Sequence, residues 1–257
     1  MSKSIFLHWL LFFYIYCFLG WIIESTIVSV KQRRFVNRGF LEGPFLPIYG
    51  SGAITVLFIT DPFKDNVILV YLVGMIAATI LEYFTGWFME TFIKIKYWDY
   101  SNDKFNIKGR ICLECSLFWG VLSIFLNFVV HPPISRLINK LSIIQIRNIV
   151  LVLTIYFICD FIYSLLNVIN LNKRLSFITK LKLEKEKLMQ DLKELKNAST
   201  LESASIKDKL SEITAKYNNL TNKVKFSQKQ ILKAYPTSLS KNFNEALKEL
   251  KEKFYNK

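Results

Sequence analysis

Long apolar stretches in the first 170 residues limit what this chain can fold into. They are close to the length of about 20 residues that a helix needs to cross the hydrocarbon core of a bilayer. In lipid, backbone N–H and C=O groups need partners within the protein, so stretches of this kind fold as helices. The sequence therefore predicts an all-α, polytopic membrane helix bundle of about five spans, at residues 5–30, 44–60, 66–93, 111–131 and 148–169.

The rest of the chain has a different composition. Residues 171–257 contain 20 Lys and Arg against 10 Asp and Glu, so they carry +10 of the total net charge of +14. Apolar residues recur there in alternating steps of four and three, which is typical of a coiled-coil seam. We predict a transmembrane domain at 1–170 and a basic cytoplasmic tail at 171–257, folded as a helical hairpin or coiled coil that self-associates through residues 175–224.

The orientation in the membrane follows from the basic residues of the short loops, because cytoplasmic loops carry an excess of Lys and Arg. Residues 31–38 contain four Lys or Arg and residues 94–110 contain five, whereas the connection at 61–65 has Lys64 beside two aspartates. This places the N-terminus outside and the tail in the cytoplasm. The basic residues of 131–147 count against this orientation.

Two stretches of the predicted membrane domain share a pattern. GWIIE at 20–24 recurs as GWFME at 86–90, and an aromatic–glycine pair occurs at 49–50 and again at 119–120. Each unit would be two spans joined by a basic loop, so the sequence predicts an internal two-span repeat with both copies in the same orientation. The alternative is coincidence, because membrane helices reuse Gly, Trp and Phe.

Charged side chains within or beside the apolar stretches need an explanation. An acidic residue near the centre of a membrane helix costs about 2.5–3.5 kcal/mol, so it requires a partner or a proton. One interpretation is a bundle interior lined with carboxylates along a substrate or ion pathway. The other is a set of hydrogen bonds and ion pairs, to Arg38, Lys108 or Arg110, that only holds the bundle together. The pathway candidates are Glu24, Arg38, Glu82, Glu90, Asp99, Glu114 and Asp160.

The stretch NRGFLEGPFLPIYGSG, residues 37–52, combines glycines, prolines and charges with apolar residues. Irregular backbone at membrane depth is tolerated where protein or a cavity surrounds it. We therefore expect a broken or re-entrant element that enters the bundle, with Glu24 and Glu90 pointing toward the basic turns at Arg38 and Lys108. The residues expected to shape the backbone are Gly39, Gly43, Pro44, Pro47, Gly50, Gly109 and Gly120.

Several kinds of site are missing from the sequence. It has no Walker A motif, dinucleotide fingerprint, HExxH or GxSxG, so we expect no nucleotide-hydrolysing engine in this chain. Cys112 and Cys115 form a CxxC pair, but a structural zinc site needs further ligands, and neither a second pair nor a nearby His is present. No metal, cofactor or catalytic residue is expected.

Five motifs, GWIIE, NRGFLEGPFLPIYGSG, LEYFTGWFMET, YWDYS and FNIKGRICLECSLFWG, occur in this order within about residues 5–170. Together they resemble the bacterial membrane family named putative ABC transporter permease (type IV, CmpB-like). The resemblance implies a multi-pass protein of the bacterial plasma membrane that acts in transport as a permease subunit. It implies the lipid bilayer and a separate ATPase subunit as partners. We expect no nucleic-acid partner.

Two other functions remain open at this point. The protein could be a membrane scaffold or sensor that recruits partners through its coiled coil. It could also be a membrane-embedded enzyme acting on a lipid or envelope precursor, with Glu82, Glu90 and Arg38 as the reacting groups, although enzymatic activity is not the main expectation.

Overall fold

A computed structural model describes residues 3–194, 200–235 and 238–255, and this part of the chain is mostly helical with almost no strands. The all-α prediction is thereby confirmed. The helices are α1 (Lys3–Gln32), α2 (Pro47–Thr60), α3 (Val67–Phe88), α4 (Leu113–Phe125), α5 (His131–Ile138), α6 (Ile143–Glu194), α7 (Thr200–Asn222), α8 (Phe226–Ala234) and α9 (Asn244–Tyr255). Two short strands, β1 (Ile95–Lys96) and β2 (Leu239–Ser240), pair antiparallel.

Four of the described helices are long and apolar enough to cross a membrane. They are Ser4–Gln32, Val67–Ile93, Leu113–Ile138 and Ile143–Lys193. The second and third continue through π-helical turns at Met89–Ile93 and Leu126–Val130. The second predicted span, 44–60, contains α2, whose 14 residues reach only about 21 Å. Because the hydrocarbon core is about 30 Å thick, α2 does not cross it alone.

The segment between α1 and α2 turns back along α1 before α2 begins. The backbone N–H of Leu46 donates to the carbonyl of Cys17 at 3.0 Å, so α2 starts about halfway along α1. Pro47 is its first residue, where a missing N–H costs no helical hydrogen bond. Leu41 and Phe45 in the preceding segment are buried. The chain therefore enters the bundle as an irregular segment and continues there as the helix α2.

The C-terminal part of the chain packs against the ends of the membrane helices. Helix α6 continues unbroken through the predicted boundary at 170–171, and α7 packs against it. Residues 195–199 of the predicted turn between these helices lie outside the described residues. One buried apolar cluster joins α6, α8 and α9 to the loops that follow α1 and α3. Its members include Val36, Ile93, Ile95, Tyr97, Leu171, Leu175, Ile178, Leu232, Tyr235, Leu247 and Leu250.

Candidate functional site

A cavity of about 340 Å³ lies between α1, α2, α3 and α4. Most of its lining is apolar, and its volume falls within the range of small-molecule sites, about 300–1,000 Å³. Ile22, Ile23 and Phe125 line the cavity, and 39%, 51% and 51% of their surfaces are exposed. The cavity is therefore open to the surface of the bundle at these residues.

A buried carboxylate, Glu82 of α3, is part of the cavity lining and is 5% exposed. Its Oε1 accepts a hydrogen bond from the Tyr100 hydroxyl at 3.2 Å, and its Oε2 accepts one from Trp119 Nε1 at 2.9 Å. Within the described residues, no Lys or Arg nitrogen lies within 4.0 Å of this carboxylate. Tyr100 belongs to the loop between β1 and α4, so this loop folds back to the bundle at Glu82.

Aromatic rings surround the same region of the cavity. Tyr16, Tyr49 and Trp119 all line it, and the ring centres of Tyr49 and Trp119 are 6.1 Å apart at an interplanar angle of 63°. The Tyr49 hydroxyl donates to Glu24 Oε1 at 2.6 Å. This hydrogen bond directs the hydroxyl toward Glu24 while the ring remains on the cavity wall.

An ion pair at the end of α1 connects the membrane helices to the tail. Arg38 Nε lies 3.6 Å from Glu24 Oε2. The Arg38 guanidinium also stacks over the Tyr235 ring, 4.2 Å from its centre, and donates to the Ala234 carbonyl. Burial raises the pKa of Tyr235 to about 12, although the charge of Arg38 acts in the opposite direction. Arg38 therefore contacts Glu24 on one side and the segment after α8 on the other.

A second ion pair occupies the corresponding end of α3. Arg110 Nε donates to Glu90 Oε2 at 2.7 Å, and Arg110 Nη1 donates to the Tyr83 hydroxyl at 3.2 Å. The expected partner, Lys108, is exposed and does not pair with Glu90. Lys108 and Gly109 have φ values of 54° and 65°. These two left-handed residues turn the chain so that the side chain at 110 faces α3.

Asp160 of α6 binds the backbone of the segment between α1 and α2. Its two carboxylate oxygens accept hydrogen bonds from the N–H groups of Glu42 and Gly43 at 3.1 and 2.9 Å. The Ser164 hydroxyl donates to the same carboxylate at 3.3 Å. A side chain at position 43 would lie 2.7 Å from the Asp160 carboxylate, so glycine permits this approach. Asp160 thus anchors the irregular segment to α6.

The two remaining acidic candidates do not line the cavity. Asp99 accepts hydrogen bonds from Lys96 Nζ at 2.6 Å and from the backbone N–H of Ser101 at 3.1 Å. Burial alone would raise the pKa of Asp99, but the hydrogen bonds from Lys96 and Ser101 outweigh it and lower the pKa. Glu114 lies exposed in the first turn of α4. Of the seven pathway candidates, Glu82 is the one on the cavity wall.

The glycines and prolines singled out from the sequence occupy turns and close contacts. Gly39 has a φ of 145°, a value that L side chains rarely adopt, and Gly109 is in the left-handed turn described above. A side chain at position 120 would meet the Tyr71 ring of α3 at 2.5 Å, so Gly120 lets α3 and α4 approach closely. Gly50 has the same role between α1 and α2. Pro44 lies in the irregular segment that Asp160 anchors.

The hydrogen bonds of Tyr100 and Trp119 to Glu82 were not predicted from the sequence. Tyr and Trp near the ends of membrane helices are typical of an interfacial aromatic belt, so these two residues did not stand out. The repeated aromatic–glycine pairs could have indicated the hydrogen bond of Trp119. In each pair the aromatic residue before the glycine donates to a glutamate of a neighbouring helix. Tyr49 donates to Glu24, and Trp119 donates to Glu82.

The CxxC pair lies at the start of α4, with the two sulfur atoms 2.9 Å apart. Cys112 Sγ accepts a hydrogen bond from the Cys115 N–H at 3.3 Å, so it caps the helix. Across the described ranges, no group of three or more His, Cys, Asp or Glu side chains is placed to hold a metal ion.

A family model described as "Putative ABC-transporter type IV" matches residues 11–165, more than half of the chain. The chain belongs to this family. The resemblance seen in the sequence motifs is thereby confirmed. The part that matches the type IV ABC-transporter family contains every residue that lines the cavity, and it leaves the tail outside. No curated protein and no solved structure matches the chain.

Proposed function

We propose that this protein is the membrane subunit of a transporter and that the cavity between α1, α2, α3 and α4 holds its substrate. The cavity is the observation that carries the proposal. A bundle that only needs to be stable fills such a space with side chains, because protein interiors are close-packed. This bundle instead keeps about 340 Å³ open beside a buried carboxylate. Membership of the type IV ABC-transporter family supports a role in transport.

The interior differs from the carboxylate-lined pathway expected from the sequence. Glu24 and Glu90 pair with arginines, and Asp160 binds backbone amides. These three therefore support the interpretation in which polar groups hold the bundle together. In the proposed transporter, Glu82 is the acidic group that meets the substrate.

The energy for transport would come from a separate ATPase subunit, because the sequence contains no Walker A motif. We expect an ATPase to co-purify when the full-length protein is isolated from its native membranes under mild detergent. Filling the cavity with Ala53→Phe should lower the ATP hydrolysis of this complex by about half or more, since Ala53 lines the cavity. Cys159→Ala, at an exposed position on α6, is the matched control. A complex without any ATPase would contradict the proposal.

The proposed topology has the N-terminus outside and the loops at 31–43 and 94–110 in the cytoplasm, together with the tail. The positions of Lys and Arg support it. In this topology residues 44–46 and α2 cross the membrane together as the broken second span of five. The two ion pairs, each between the end of a membrane helix and the following loop, support the two-span repeat.

Cysteine labelling in intact cells tests this topology. We expect cysteines introduced at the exposed positions Asn102 and Ser211 to resist an impermeant maleimide and to react after the cells are permeabilised. A cysteine introduced at the exposed residue Asp65 should react in intact cells, because the connection before α3 would face outward. Labelling of the unmodified protein provides the background. Ready labelling at Ser211 in intact cells would reverse the orientation.

The scaffold hypothesis rested on the seam in the tail. Helix α7 packs against α6 within one chain, where Ile213 and Val224 are buried. Part of the seam is therefore used inside the molecule. Self-association through residues 175–224 stays a prediction, and the transporter proposal does not depend on it.

A further inference from the structure

The charge balance of the membrane cavity indicates what kind of molecule it accepts. Glu24 and Glu90 each pair with an arginine, whereas the partners of Glu82 within the described residues are two neutral donors, Tyr100 and Trp119. A carboxylate has about four acceptor positions. Two of them are used here, so the others remain for a ligand.

An ionised carboxylate among apolar residues needs a positive charge or a proton, because an uncompensated charge away from water is costly. The rings of Trp119, Tyr49 and Tyr16 line the same cavity. Aromatic faces attract cations, and aromatic side chains around a buried carboxylate are well suited to organic cations. The carboxylate and the aromatic rings therefore both favour a positively charged ligand.

The apolar walls of the cavity and the charge of Glu82 disfavour other classes of ligand. A small inorganic cation requires several oxygen ligands, and the cavity wall is made mostly of Leu, Ile, Val and Phe side chains with few oxygens. An anionic headgroup would be repelled by Glu82. A neutral acyl chain would match the walls, but it supplies no counter-charge, so Glu82 would have to carry a proton.

We propose that the cavity binds a lipophilic organic monocation, such as a quaternary ammonium or phosphonium with apolar substituents, with its charge beside Glu82. This inference names the substrate class of the proposed transporter and rests on that proposal for its physiological meaning. The opening between Ile22, Ile23 and Phe125 would let such a molecule enter from the bilayer.

Direct binding to the purified full-length protein in lipid nanodiscs tests the inference. The probes are tetraphenylphosphonium and tetraphenylborate, which share size and shape and differ in the sign of their charge. After subtraction of binding to empty nanodiscs, we expect the cation to bind about tenfold or more tightly than the anion. Equal or tighter binding of tetraphenylborate would overturn the proposal, and this comparison needs no variant.

Variants locate the binding site. Glu82→Gln keeps the shape of the side chain and removes its charge, so affinity for tetraphenylphosphonium should fall by about tenfold or more. Asp103→Asn removes one exposed negative charge from the loop before α4 and should change affinity by less than about twofold. Ala53→Phe should abolish binding by filling the cavity. If the folded Glu82→Gln or Ala53→Phe protein binds like the wild type, the site is elsewhere and the proposal fails.

The binding result and the transport result are independent. If the protein binds the cation but no ATPase co-purifies, the binding site stands and the transport role falls. If an ATPase co-purifies but the cation is not preferred, the transport role stands and the substrate class proposed here is wrong.

Discussion

Asp160→Ala is expected to lower the free energy of unfolding by about 1–3 kcal/mol. The carboxylate accepts hydrogen bonds from the N–H groups of Glu42 and Gly43. The Glu42 N–H would keep a second acceptor, the Ser164 hydroxyl at 3.1 Å, but alanine leaves the Gly43 N–H without an acceptor, at a cost of about 1–3 kcal/mol. Thermal or denaturant unfolding of the purified protein in detergent measures the loss.

Two substitutions separate this mechanism from a general sensitivity of α6. Asp160→Asn keeps one oxygen acceptor and should lose roughly half as much stability as Asp160→Ala. Cys159→Ala changes the adjacent exposed residue and should remain within about 0.5 kcal/mol of the wild type. If Asp160→Ala and Cys159→Ala have the same midpoint, the segment between α1 and α2 does not depend on Asp160.

The helical architecture was predictable because it depends on local properties of the sequence. Apolar length identifies α1, α3, α4 and α6, since few alternatives exist in lipid. The irregular entry before α2 was also visible, because glycine and proline within an apolar stretch are incompatible with a regular span. In the structure, α2 accordingly begins about halfway along α1.

Pairings across long distances in sequence were less predictable. Tyr100 is 18 residues from its partner Glu82, and the contact depends on how the loop after β1 folds. Glu90 pairs with Arg110 instead of Lys108 because of two left-handed residues in the turn. Single-residue differences of this kind decide which cation meets a carboxylate, and composition does not encode them.

The position of the tail is the largest feature that the sequence left open. Its periodicity predicts helices but not what they contact. In the structure Arg38 is held between Glu24 of α1 and Tyr235 after α8, and β1 and β2 join the loop after α3 to the tail. A shift of α1 relative to the other helices would therefore change contacts in the tail.

Gly50→Ala is expected to destabilise the protein by about 2–3 kcal/mol through overpacking. A Cβ at position 50 would lie 2.6 Å from the carbonyl oxygen of Phe13 and would also meet the sulfur of Cys17, so α2 would have to move away from α1. Gly52 is the matched control on the same helix, because a Cβ there has its nearest neighbour, Leu81, at an ordinary 3.6 Å. Gly52→Ala should be neutral or stabilising by up to about 1 kcal/mol, since alanine favours a helix over glycine. Unfolding midpoints of the two variants in the same detergent give the comparison. Equal midpoints would mean that α1 and α2 do not pack through Gly50.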